Sequence, residues 1–234
     1  MTETPSAFAA AIDLVLSLDP ELGSIVALSL RVTLSAVAIA CVIGLPLGAA
    51  LALYRFPGRQ VVVTLSAALM GLPPVVAGLA LYLLLSRAGP LGSWGLLFTP
   101  TAMIVAQTIL VLPIIITLTR QVVEDLWGEV GDQLRSLGSS RSRAIPTLLW
   151  DGRLSLLSGV LAGFGRASAE VGAVLIVGGN IAGVTRTMTT AIALETSRGD
   201  LALALGLGMV LIVLTIALTA SAQIIGALSR RLGV

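Results

Sequence analysis

The chain has 234 residues, 56% of them hydrophobic and 11% charged, with a formal net charge of +2; a soluble domain carries roughly twice that charged share. All 14 basic residues are arginine, and histidine is absent. The lack of lysine excludes a G-x-x-x-x-G-K-[ST] phosphate loop and a Ser–Lys dyad, while the lack of histidine beside a single cysteine, Cys41, excludes the usual zinc constellations and an intrachain disulfide.

Uncharged runs at 32–54, 60–86, 88–119 and 201–229 decide the class. A helix of about 20 apolar residues crosses roughly 30 Å of hydrocarbon, whereas a buried core helix is shorter and shows a polar face. The expected fold is an all-α integral membrane protein with about five transmembrane helices. The N-terminus does not read as a signal peptide: it has no basic start, and Asp13, Asp19 and Glu21 interrupt its apolar stretch. Residues 5–18 read as a short amphipathic helix at the membrane interface, with Phe8, Ile12, Val15 and Leu16 near one face and Asp19-Pro20 at its end.

The first span is expected at 25–53, where Gly44, Pro46 and Gly48 are tolerable in lipid if neighbours satisfy the freed backbone groups. Arg55-Phe56-Pro57-Gly58-Arg59 is a tight basic turn. The second span, 60–85, carries Gly71-Leu72-Pro73-Pro74 at its middle, and a loop at 86–99 holds Trp94, a residue type of the water–lipid boundary. The third span covers 100–119, with Pro113 near its end. Residues 120–153, with five arginines and five acids, are the most polar stretch and read as helix, turn at Gly138-Ser139-Ser140, and helix. A fourth span at 154–178, a Gly- and Thr-rich segment at 179–200 and a fifth span at 201–226 complete the pattern. No fixed-period repeat and no inverted halves are present.

Arginine placement sets an expected orientation. The 54–60 turn, the 120–153 loop and the C-terminus hold two, five and two arginines, against Arg87, Arg186 and Arg198 on the other side. The richer side is then cytoplasmic, with the N-terminus outside and the C-terminus inside. The chain divides into an extracytoplasmic or interfacial segment at 1–21, a transmembrane domain at 22–228 and a cytoplasmic tail at 229–234. Blandly, the 120–153 loop is a solvated connector. Leu126, Val130, Leu134 and Leu137 at helical spacing point instead to an ordered amphipathic surface for a soluble partner.

Several intramembrane residues admit two readings. Arg166 and Glu170, four apart, would face one side of a helix. They form a structural pair or mark an anion path, since ions in a membrane rarely face lipid. Pro73, Pro74 and Pro113 are packing kinks or hinges. Gln107, Thr108, Thr117 and Thr119 line a polar path or bond across helices.

A family resemblance adds to this reading. Asp132-Gln133-Leu134-Arg135-Ser136-Leu137-Gly138 resembles the coupling loop of ABC importer permeases, which reads Glu-Ala-Ala, three residues, then Gly. Asp132 takes the Glu position, Gln133 and Leu134 the two Ala positions, and Gly138 matches; the family's later Leu-Pro is replaced by Trp150-Asp151. Residues 159–180, GVLAGFGRASAEVGAVLIVGGN, resemble the segment that follows this loop in molybdate, tungstate and sulfate permeases. Phe164, Arg166, Ala167, Glu170, Gly172, Gly179 and Asn180 fit that pattern, and Val171 stands in place of an aromatic. Gly71-Leu72-Pro73-Pro74-Val75-Val76-Ala77-Gly78 and Arg87-Ala88-Gly89-Pro90-Leu91-Gly92 also resemble the group. Ala193-Leu194-Glu195-Thr196-Ser197-Arg198-Gly199-Asp200 and the short form look most like tungstate permeases.

The resemblance covers residues 22–228 and implies a type I ABC importer permease fold in a bacterial or archaeal plasma membrane. It implies import of a tetrahedral oxyanion, tungstate first, with molybdate or sulfate as alternatives. It further implies a second copy of the chain, two cytoplasmic ATP-binding subunits and an extracytoplasmic oxyanion-binding protein. ATP would be used by those subunits, so this chain would be non-catalytic and bind no cofactor, metal or nucleic acid. Asp132, Gln133, Leu134, Gly138, Ser139, Arg141 and Arg143 would form the ATPase-coupling loop. Arg166, Glu170, Asn180, Gln107, Pro73 and Pro74 are candidates for the path or its support. A self-contained secondary transporter or channel would leave the amphipathic loop unexplained, and an intramembrane enzyme would have few catalytic groups to use.

Overall fold

The computed structural model describes residues 20–231 together with Ile12. The expected interfacial helix at 5–18 lies outside the described residues, apart from that one position. The described residues form nine α-helices and no strand: α1 (Pro20–Leu53), α2 (Arg59–Leu69), α3 (Pro74–Leu85), α4 (Pro100–Ser136), α5 (Arg141–Asp151), α6 (Arg153–Ser168), α7 (Gly172–Gly178), α8 (Met188–Arg198) and α9 (Leu201–Arg231). A 3₁₀ turn at Gly92–Trp94 precedes α4.

The helix boundaries differ from the sequence expectation for local reasons. Pro20 is the first described residue of α1, a position where proline lacks only an N–H that would have no partner; Glu21 follows it at the positive end of the helix dipole. The expected second span is two helices, because Pro73 and Pro74 bias the residues before them away from the helical region. The expected fourth span breaks between Ser168 and Gly172. The third span does not stop where its charge-free run stops. α4 has 37 residues, which at 1.5 Å per residue is about 55 Å, well beyond about 30 Å of hydrocarbon. Its polar last turns therefore extend into water as the first half of the 120–153 loop.

α1, α4 and residues Leu201–Ile224 of α9 are each long and apolar enough to cross a membrane. The pairs α2 with α3 and α6 with α7 qualify as two more if each is taken as one broken span. Val42, Val61 and Val213 are 76%, 70% and 63% exposed, an apolar surface suited to lipid or to another chain rather than water.

The chain divides into two compact units. One comprises residues 1–35, 73–107 and 168–221; the other comprises 36–72, 108–167 and 222–234. In the first, Leu22, Ile25, Met188, Ala191 and Leu207 form a buried cluster. α3 and α7 cross there with almost no side chain between them: a Cβ on Gly78 would lie 2.7 Å from Cα of Ala173, and one on Gly172 would lie 2.8 Å from Val75. In the second, α1 and α6 both press small residues on α4. Cβ atoms on Gly44 and Gly48 would sit 2.8 Å from Ile115 and 2.7 Å from Thr119, and one on Gly163 would sit 2.9 Å from Val111. Gly44 and Gly48, like Gly159 and Gly163, are Gly-x-x-x-Gly pairs, the spacing that lets membrane helices approach backbone to backbone.

Candidate functional site

The helix–turn–helix at 120–153 belongs to the second unit. Its apolar positions are packed: Ala49 and Leu53 of α1, Val123 of α4, and Ala144 and Leu148 of α5 form one buried cluster. Leu126, Trp127, Val130, Leu134, Ile145 and Leu149 lie against it. α5 is therefore fixed to the ends of α1 and α4 by an apolar stripe, while Arg141, Ser142, Arg143, Thr147 and Trp150 on its other face are exposed. Burial of one leucine of this kind contributes about 2 kcal/mol.

The turn has a defined chemistry. Gly138 sits at φ +74, a left-handed conformation open to glycine at little steric cost. Its N–H donates to the Arg135 carbonyl at 2.9 Å, and the Ser139 N–H reaches back to the Leu134 carbonyl at 2.9 Å. This pair of bonds is a Schellman cap, which ends α4 and reverses the chain. Arg143 holds the turn from the other side, its Nε donating to Ser140 Oγ at 3.3 Å and its Nη2 to the Gly138 carbonyl at 3.4 Å. Asp132 and Arg135 form an exposed ion pair at 2.7 Å, and Arg135 also lies over the Trp127 ring at 4.9 Å. Gln133, Leu137, Arg141 and Trp150 are exposed. The structure thus brings the predicted Asp132, Gln133, Leu134, Gly138, Ser139, Arg141 and Arg143 onto one helix end, one turn and one helix start.

Sequence reasoning missed a neighbouring ionic network. Glu124 of α4 accepts from Arg59 through one oxygen and from Arg120 through the other. Arg59 Nε also donates to the Leu51 carbonyl at 2.7 Å, near the end of α1. All three charged side chains are mostly buried, 17–35% exposed. Two guanidinium groups on one carboxylate satisfy both of its oxygens, and the start of α2 is tied to α1 and α4 at one point. Arg120 and Glu124 carry an i,i+4 signal. Arg59 is 65 residues from Glu124, and no periodicity joins them.

The intramembrane candidates fall otherwise. Pro73, Pro74, Gln107, Glu170 and Asn180 belong to the first unit, and Arg166 to the second. Arg166 lies in the last turn of α6, which ends at Ser168, and Glu170 lies beyond that end. The continuous helix expected to carry both residues therefore ends between them. Glu170 is 2% exposed; its carboxylate accepts the Ala173 N–H at 2.9 Å, and its carbonyl accepts the Thr189 hydroxyl at 2.8 Å. Gln107, Thr117 and Thr119 are buried.

Asn180 adopts φ +50 after Gly179 at φ +71, and its Nδ2 donates to the Thr190 carbonyl at 3.3 Å. Gly179 also faces Phe98, whose ring would be 2.9 Å from an added Cβ. The polar segment that follows is tied down by hydroxyls. Thr185 donates to the Gly178 carbonyl at 2.5 Å, Thr187 N–H donates to Thr190 Oγ1 at 3.0 Å, and Met188 N–H donates to Ser29 Oγ at 2.7 Å. Glu195, 5% exposed, is flanked by Arg198 at 3.2 Å and Arg186 at 3.9 Å, the pairing a buried carboxylate needs.

Comparison with known proteins agrees with this architecture. No protein-family model matches the chain. It is 41% identical over 183 residues to a probable anion ABC transporter permease of Haloferax volcanii, covering 76% of this chain and 79% of the relative. It is 40% identical over 193 residues to the tungstate uptake system permease TupB of Peptoclostridium acidaminophilum, covering 82% and 85%. It is 31% identical over 188 residues to the sulfate transport permease CysW of Synechocystis, covering 76% and 67%. With long apolar helices, an ordered polar helix–turn–helix and similarity over most of its length, the chain belongs to the multi-pass membrane permeases of ABC transporters.

Proposed function

We propose that the chain is the membrane-spanning, non-catalytic subunit of an ATP-driven importer whose cargo is tungstate. The observation that carries this reading is the 40% identity to a tungstate uptake permease over 193 residues. The physical chemistry agrees: a doubly charged oxyanion does not cross hydrocarbon unaided, and uptake against a gradient needs an external energy source. The ATPase is a separate chain that binds the nucleotide, and the permease binds no cofactor of its own. Two copies of the permease pair in the plasma membrane, with the N-terminus outside and the C-terminus in the cytoplasm. An extracytoplasmic binding protein delivers the anion.

In this reading the turn at Gly138 and the start of α5 contact the ATPase. α5 shares a buried apolar cluster with α1 and α4, so a push on α5 reaches the spans through packed side chains rather than a flexible linker. The test is ATPase activity of the reconstituted complex with binding protein loaded with tungstate, molybdate or sulfate. Tungstate is expected to stimulate most. Stimulation by sulfate or molybdate alone reassigns the cargo, and no stimulation by any anion overturns the oxyanion reading.

A further inference from the structure

The second unit holds a cleft of about 820 Å³ whose wall includes Arg55, Phe56, Arg59, Val61 and Glu124. Its charge is cationic. Glu124 is the one carboxylate on the wall and is already engaged by Arg59 and Arg120, leaving the exposed Arg55 guanidinium beside a triad that itself carries a net positive charge.

The position of the cleft identifies what can reach it. Tyr54, Arg55 and Phe56 directly follow the 34-residue apolar helix α1. The two rings are 38% and 44% exposed, and α2 begins within the same wall with the apolar Val61 70% exposed. Aromatic rings beside arginines at the end of a spanning helix mark headgroup level, where basic side chains attract anionic lipid. Arginine's planar fork matches the oxygens of a phosphate.

We propose that this cleft seats the phosphate headgroup of an anionic phospholipid, with Arg55 as the phosphate ligand, the Arg59–Glu124–Arg120 triad as its cationic support, and Phe56 and Val61 against the acyl side. The proposal rests on the spanning character of α1 and on the cleft, and it is independent of the transported anion.

The shared chemistry is a tetrahedral phosphate group, so lipid and free anion must be separated. The measurement is lipid retention by native mass spectrometry after release of the intact permease complex from vesicles of phosphatidylcholine with one-fifth phosphatidylglycerol, comparing unaltered protein, Arg55→Gln and Arg87→Gln. Arg87 is exposed, carries the same charge and does not line the cleft, so its variant controls for net charge. Arg55→Gln is expected to lower phosphatidylglycerol retention about fivefold, the weight of one basic side chain near an anionic leaflet. Arg87→Gln is expected to leave it within a factor of two of the unaltered protein. Equal losses in both variants overturn the proposal. Displacement of the lipid by millimolar inorganic phosphate also overturns it, by making the cleft a free-anion site. Loss of ATPase-subunit binding with unchanged lipid retention in Arg55→Gln overturns it in favour of a protein contact.

Discussion

The helix–turn–helix at 120–153 and the crossing of α3 with α7 are held together by different means. The helix–turn–helix and its base use charge and an amphipathic stripe: Glu124 between two arginines, Asp132 with Arg135, and a helix fixed by Ala144 and Leu148. The α3–α7 crossing and the segment that follows it use close backbone approach and hydroxyls: α3 against α7 at Gly78, Thr185 on Gly178, and Ser29 on Met188. The first arrangement suits helix ends that reach water, where ions remain partly hydrated. The second suits a place where ions are costly and small residues let backbones meet. The difference predicts that the α3–α7 crossing is sensitive mainly to volume, and the helix–turn–helix to its apolar packing, its charges and its turn geometry.

Gly78→Val should have the largest effect. Its Cβ would collide with the Ala173 backbone, which cannot move aside like a side-chain tip, so a loss above about 3 kcal/mol is expected. Thermal unfolding in detergent would show it as a melting temperature far below that of the unaltered protein. Leu148→Ala, fully buried in the α5 cluster, should cost about 2–4 kcal/mol and expose 120–153 to limited proteolysis while the spans stay intact.

Glu124→Gln comes next. It leaves Arg59 and Arg120 with a neutral acceptor, and because the groups are 17–35% exposed the loss should be about 1–2 kcal/mol. Glu124→Asp should recover part of it, and raised salt should narrow the difference from the unaltered protein. Gly138→Ala should cost about 1 kcal/mol through its φ of +74, and Gly138→Asn less, since Asn tolerates that conformation better than Ala. Asp132→Ala should change stability by under about 0.5 kcal/mol, because its pair with Arg135 is exposed. A large melting shift for Asp132→Ala together with a small one for Gly78→Val would break the comparison.

Much of this was legible in the sequence. Charge-free runs located the long helices because hydrocarbon leaves few alternatives to an apolar helix. The turn at Gly138-Ser139-Ser140 was legible because glycine is favoured at a left-handed helix end. The length of α4 was not: the charges from Arg120 onward mark the end of the lipid-facing stretch, yet they do not interrupt helical hydrogen bonding. The end of α6 before Glu170 was missed for the opposite reason, since the apolar residues on either side of the break keep 159–178 hydrophobic on average and hydropathy does not register it. The Gly-x-x-x-Gly pairs announce a close crossing without naming the helix crossed. The bond between Arg59 and Glu124 is a tertiary fact with no local trace.

The proposed role of 120–153 is to transmit ATP-driven motion from an ATPase to the spans of an oxyanion permease. The direct measurement is tungstate accumulation in proteoliposomes containing the permease, its ATPase and its binding protein, with and without ATP, for the unaltered chain and for Asp132→Ala combined with Gly138→Ala. ATP-dependent accumulation is expected in the first case. In the second, accumulation should be lost with the folded permease still present in the membrane. Accumulation without ATP, or accumulation undiminished in the double variant, would contradict that role.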